Sequence, residues 1–337
     1  MDAKITKTRL SRLLSYDWLK IVGVIAGIIL VWSLIFTMTA TRITPAQQFH
    51  VLNYVGNYSW GASFNNFYKG AKNALSYEVI ETHSEDLSAN KQYVGTLMEA
   101  RLATYEVDLM FVADIGDEDT KYEDKATGET MYEYSYLETF IMRYGYHTHK
   151  LSDPNVDEDS YFNRMERYLN TYYKGDWTKE ENLNAKKVEE DFRARAKKNK
   201  DKRYKTEKQI KAGIAKDMER IEKYRDGLEQ FYQYVEEGYI AYNHSQFTYT
   251  SSDKTETKYD GWYSLNVCPN EKMENLKEYV GYYVTETDED GNDKHIKRAD
   301  NMNVAFFDAG KKMEEGFEYE NVLFINYLVE SCISEQE

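Results

Sequence analysis

Residues 97–115, LMEARLATYEVDLMFVADI, decide how the chain is read. Val94, Leu97, Met98, Leu102 and Tyr105 recur at the spacing of one helical face, and Val107 to Ala113 follows as a compact apolar strand. Working outward, FHVLNYV (residues 49–55) is a β-rich run followed by the loop GNYSWGAS. SFNNFYKGAKNAL then places Phe64, Phe67, Ala71, Ala74 and Leu75 on one helical face, and SYEVIETHSE is a second strand candidate. Strands alternating with helices of this length predict a βαβαβ unit with parallel pairing.

A segment made for lipid precedes this unit. IVGVIAGIILVWSLIFTMTA, residues 21–40, contains no charge over about the 20 positions needed to cross hydrocarbon. Tyr16 and Trp18 flank its start, and Lys4, Lys7, Arg9, Arg12 and Lys20 precede it, while only Arg42 closely follows. The positive-inside bias predicts a cytoplasmic basic segment (1–17), a transmembrane anchor in contact with membrane lipid (18–40), and an extracellular remainder. A cleaved secretion signal is the rival reading. Against it stand the length of the apolar run and Met38 at the position where a small residue is expected before Ala40.

Beyond residue 153 the period changes. Tyr161, Phe162, Met165, Tyr168, Leu169 and Tyr172 form a helical stripe. Thr178 with Glu181, and Thr206 with Gln209, fit the capping-box spacing that opens a helix. The second opens a long run with Ile210, Ile214, Met218, Ile221, Leu228, Phe231 and Val235 along one side. Residues 179–225 hold 17 Lys/Arg against 10 Asp/Glu in a chain of net charge −15, so a basic helical segment sits in an acidic protein. It implies an intramolecular contact, a partner surface or a solvated face. After about residue 245 strands return: DGWYSLNV, a hairpin around Asp290-Gly291, NMNVAFFDAG, and a closing helix EYENVLFINYLVESC. The expected organisation is therefore an α/β domain in two parts, 41–153 and 246–337, interrupted by a helical insert, 154–245.

Composition narrows the function classes. The acidic balance argues against nucleic acid as a partner. Cys268 and Cys332 cannot make a disulfide framework and read as two thiols, or one bridge. Glu286, Asp288, Asp290 and Gly291 imitate a calcium loop, but Lys297 stands where a bidentate glutamate is required. His147 and His149 would share a face of an extended run, with no third ligand at any recognisable spacing. No nucleophile elbow, phosphate loop or dinucleotide fingerprint occurs. Hence no metal, cofactor or catalytic residue is assigned, and the chain is read as a non-enzyme. What remains is position: ligands of open parallel sheets lie beyond the carboxyl ends of the strands. That selects Tyr58 and Trp60 in the loop after the first strand, Asp114 at the end of the third, and Trp262 from the returning segment as candidate ligand-binding residues.

The order FHVLNYV, YEVIETHSEDL, YVGTLMEARLATYEVDLMFVADI resembles the opening of an extracytoplasmic solute-binding protein of the transporter-associated, type II-like kind. EYENVLFINYLVES is similar to that family's late helix, and the basic start with YDWLKIVGVIAGIIL resembles one-helix surface proteins of clostridia-like bacteria. The resemblance implies a membrane-anchored receptor or transporter accessory protein holding a sugar, peptide or amino acid. The alternative expectation is a structural or assembly protein of the cell surface that docks a protein partner through the helical insert.

Overall fold

A computed structural model describes residues 18–39, 43–54, 70–87, 93–287, 292–308 and 316–334, together with Thr8, Ser11 and Lys312. Two units result, residues 1–42 and 43–337. In the first, α1 (Trp18–Thr39) is 22 residues long, about 33 Å at the α-helical rise. Its Trp18–Phe36 stretch has a mean hydropathy of 2.5 and none of it is buried against protein. This is long and apolar enough to cross a membrane, and a secretion signal would have the same character.

The second unit is a mixed α/β structure built on a six-stranded sheet of order β2-β1-β3-β10-β7-β6. β1 (Gln48–Tyr54), β2 (Glu81–Asp86) and β3 (Leu109–Ala113) are mutually parallel, with β1 in the middle, as the alternation predicts. β3 is buried at every position, which is why it reads as an unbroken apolar run. Two small hairpins stand apart from the sheet: β4 (Lys121–Glu123) with β5 (Thr130–Tyr132), and β8 (Tyr282–Thr287) with β9 (Asp293–Arg298). The main sheet is completed antiparallel by β10 (Met302–Phe306), β7 (Glu256–Asn266) and β6 (Ala241–Thr250).

Strand alternation sends side chains to two cores. Leu52, Met110, Val112 and Ala305 meet α2 (Val94–Thr104) and α3 (Tyr136–Tyr144). Helix α2 ends at Thr104, and Tyr105 turns into the left-handed region (φ 57°), so it caps the helical row instead of extending it. Phe49, Val51, Phe111, Val304 and Phe306 meet α4 (Tyr161–Tyr172), α5 (Ala185–Lys198), α6 (Glu207–Glu236) and α7 (Glu320–Ser334). The helices of residues 154–245 thus share one core with the sheet and form its covering layer on that face.

Local signals explain most helix starts. Thr206 and Gln209 close the capping box of α6. The box expected at Thr178 does not form: Asp176 takes both the hydroxyl (2.7 Å) and the amide (3.1 Å) of Thr178, and α5 begins instead on Asn184, whose side chain accepts from Lys187 N.

Arginines of the basic segment fasten this layer. Asp217 and Arg220 are almost wholly buried on α6, joined at 2.9 Å, and Arg195 of α5 reaches the same carboxylate at 2.9 Å. Arg195 lies 3.9 Å and Arg203 3.0 Å from Glu78, buried before β2, and Tyr77 donates to Asp217 at 3.1 Å. Arg220 also stacks between Tyr224 and Phe317 and donates to Tyr168 (3.0 Å). Beside it Tyr224 donates to Glu320 (2.6 Å) and Lys223 donates to the Leu75 carbonyl (2.9 Å). Part of the local positive charge is therefore an intramolecular contact. Much of the tyrosine content is packing with a tethered hydroxyl, as where buried Tyr161 donates to the Glu318 carbonyl (2.6 Å).

Candidate functional site at the carboxyl ends of β1 and β3

The chain runs from β1 outward to β2, then back past β1 to β3 on its other side, so the boundary between β1 and β3 is a topological switch point. There β1 ends in Asn53 and Tyr54, paired in register with Phe111 and Val112 of β3, and Asp114 follows β3. Asn53 has no exposed surface, yet neither its amide nitrogen nor its carbonyl oxygen has a hydrogen-bond partner. It lies on the face of Phe49 and Val51, with Tyr54 on the opposite face.

On Tyr54's side the polar groups converge. The Tyr54 ring meets Tyr136 edge-on at 6.0 Å. Burial, reinforced by the nearby Asp117 carboxylate, pushes the Tyr54 phenol up to about 12. Asp117 is itself buried and accepts from Thr139 Oγ1 (2.8 Å) and Asp119 N (3.0 Å). Ser135 and Glu138 close the capping box that starts α3 here. Burial raises the Glu138 carboxyl; its bond from Ser135 N opposes this, and the Asp114 carboxylate adds to it. Asp114 is exposed, its backbone fixed by donation to the Asn301 carbonyl at 2.9 Å. Two phenols and three carboxylates on this face, with the orphan amide of Asn53 on the other, suit a ligand that bears hydroxyl or ammonium groups and meets the strand ends. The one serine here, Ser135, is committed to capping.

The four residues selected from sequence fare differently. Asp114 sits at the switch point. Tyr58 and Trp60 lie outside the described residues. Trp262 does not approach Asp114. Ala113 faces Met302 and Val304 faces Leu265, so antiparallel β7 carries Trp262 toward the opposite end of the sheet. Six residues of strand separate Trp262 from the level of Asp114, on the order of 20 Å. There Trp262 packs on His244 (4.8 Å) and its carbonyl accepts from Leu151 N. Sequence reasoning missed Asn53, Tyr54, Asp117, Tyr136 and Glu138. A polar residue at an inward position of β1 and the Ser135-x-x-Glu138 spacing were the available signals.

The other candidate motifs also resolve. His147 ends a 3-10 turn with its ring against Tyr146 (4.0 Å). His149 is buried elsewhere, taking a hydrogen bond from Arg164 on Nδ1 (2.9 Å), with the Glu318 carboxylate 3.2 Å from Nε2. Glu286 pairs with Arg298 (2.9 Å), while Asp288, Asp290 and Gly291 lie outside the described residues. Cys268 and Cys332 are both buried, and no disulfide joins them. Two open grooves lie away from the strand ends: about 570 Å³ beside Glu99, Arg143, Tyr144 and Tyr146, and about 330 Å³ beside His50, His83 and Arg101.

No known protein family, curated protein or solved structure matches this chain.

Proposed function

We propose that the chain is a membrane-anchored, extracytoplasmic, non-catalytic solute-binding-like receptor or transporter accessory protein. In this reading α1 is its single span and the N-terminus is cytoplasmic. Its ligand is a small polar solute, a sugar, amino acid or short peptide, held where β1 and β3 end. The observation that carries this reading is Asn53: a fully buried amide with both polar atoms unpartnered, at the position where sheets of this topology hold ligands. Tyr54, Tyr136, Asp114, Asp117 and Glu138 supply further groups at the same end of the strands, on the other face of the sheet. The four cations before α1, with Lys20 in its first turn, support the orientation. The alternative, docking of a protein through the helical layer, is less well supported, because Arg195, Arg203 and Arg220 are already engaged with carboxylates of this chain.

The test is thermal stability of the full chain against a panel of sugars, amino acids and short peptides. A ligand at one hundred times its Kd adds about 2.7 kcal/mol, which raises the midpoint of a unit this size by about 4 °C. Asn53→Leu should abolish that shift while leaving the ligand-free protein as stable or about 1–3 kcal/mol more stable, since an orphan polar group is removed. If no solute moves the midpoint, or Asn53→Leu leaves the shift intact, the site is wrongly placed.

A further inference from the structure

The basic segment divides its cations between the core and one tip. Arg195, Arg203 and Arg220 turn inward, as described, whereas Lys197 and Lys200 at the end of α5, Lys205 in the turn, and Lys208 and Lys211 in the first turns of α6 are exposed. α5 and α6 pack against each other and the turn between them is short, so all five lysines occupy one end of a helical hairpin. Lys197, Lys200, Lys205 and Lys208 make no ion pair among the described residues. The two local carboxylates are spoken for: Asp201 is bound by Arg203 (2.7 Å) and Glu207 by Arg193 (2.5 Å). Residues 193–211 hold ten Lys/Arg against two Asp/Glu, net +8, so the rest of a chain of −15 carries −23.

This distribution restricts the partner. Compact, strongly hydrated ammonium groups on flexible stems suit point-charge attraction to anions, not the bidentate packing for which this chain uses its arginines. A long, wrapping polyanion would run onto the acidic body, whereas a planar anionic surface met end-on touches only the tip. If α1 spans a membrane, the chain leaves the span at Thr39 and enters β1 at Gln48. That gives it eight intervening residues, at most about 30 Å, in which to leave the lipid. We propose that the α5–α6 hairpin tip is an electrostatic docking surface for anionic phospholipid headgroups. It rests on the anchored reading only for the proximity of lipid; the surface itself is independent of any solute.

Each lysine brought to an anionic surface strengthens binding about fivefold. The test is hydrogen exchange of the full chain in lipid nanodiscs, neutral or containing anionic phospholipid. Exchange across residues 197–208 should slow severalfold in the anionic discs and return to the neutral-disc rate in about 1 M salt, where the Debye length shrinks to about 3 Å. The combined variant Lys197→Gln, Lys200→Gln, Lys205→Gln, Lys208→Gln should lose the protection and keep the exchange pattern of the sheet. Equal exchange in both discs, protection that survives in the variant, or protection by a soluble polyanion but not by anionic discs would overturn the assignment. Failure of the anchor shows separately, as a chain that does not stay with neutral discs during gel filtration.

Discussion

Replacing Asp217 with alanine removes the carboxylate that Arg195 and Arg220 share, each at 2.9 Å, and the acceptor of Tyr77. Arg220 has no exposed side-chain surface, so water cannot replace the lost partner. Breaking a buried pair by removing one member costs about 3–5 kcal/mol. A unit of residues 43–337 melts with an entropy of about 0.6 kcal/mol per kelvin, so the midpoint should fall about 5–8 °C. Asp217→Ala with Arg220→Met should be less destabilised than the two single changes added together, by about 1–3 kcal/mol. Burial alone would raise the Asp217 carboxyl, but the Arg220 and Arg195 guanidiniums hold it below its ordinary value. A depressed carboxyl stabilises the fold above the unfolded carboxylate range and loses that contribution as pH falls through the folded value, so Asp217→Ala should flatten the acid limb below about pH 4. Calorimetry and urea titration between pH 3 and 8 read all three effects. A midpoint lowered by less than about 2 °C, or an additive cycle, would refute the claim that this network holds the helical layer on the sheet.

Two further outcomes are expected. Gly213 of α6 sits where a Cβ would come within 2.3 Å of Phe192 and 2.6 Å of Tyr204. Gly213→Ala should therefore cost about 1–3 kcal/mol instead of gaining the roughly 1 kcal/mol that alanine brings to an open helix position, as a urea midpoint will show. His50, buried and stacked on His83 at 4.7 Å, is lowered to about 3 by burial and by the Lys312, His83 and Arg101 charges. The unfolded chain binds this proton first, so stability from a neutral His50 is complete above about pH 6.5 and is lost as pH falls toward 3, at most about 5 kcal/mol. His50→Phe should flatten urea stability across that window, and an unchanged pH profile would exclude His50 as its source.

How much of this was legible in the sequence depended on the range of the interaction. β3 could be read because burial on both faces leaves an unbroken apolar run, and the α6 start because Thr206 and Gln209 are three residues apart. The Thr178 spacing misled because Asp176, two residues away, binds the same hydroxyl more closely than any helix amide. Trp262 was misplaced because spacing along a chain carries no strand register; the pairing of Val304 with Leu265 decides which end of the sheet it reaches. The links from Glu78 to Arg203, and from Asp108 to Lys312, join residues more than a hundred positions apart and leave no periodic trace.

The treatment of buried polar groups elsewhere gives Asn53 its weight. Asp108, at the amino end of β3, is equally enclosed, yet its carboxylate takes Lys312 and the His50 amide, and its carbonyl takes Asn321. Ser264 and Asn303, buried in neighbouring strands, bond to each other at 3.0 Å, and Asn243 donates to Ser264 at 3.2 Å. Glu320 is held by Tyr224 and by Ser76. Ser152, Tyr173 and Tyr242 also leave their one hydroxyl unmatched, but among the described residues only Asn53 leaves two polar atoms of a single side chain without a partner. Apolar neighbours Val51 and Phe111 fill the same face, so a leucine would serve packing as well and cost less to enclose. An amide kept at that cost, at the boundary between β1 and β3 where the chain reverses its winding, is what the proposed solute site requires: a polar partner supplied by the ligand.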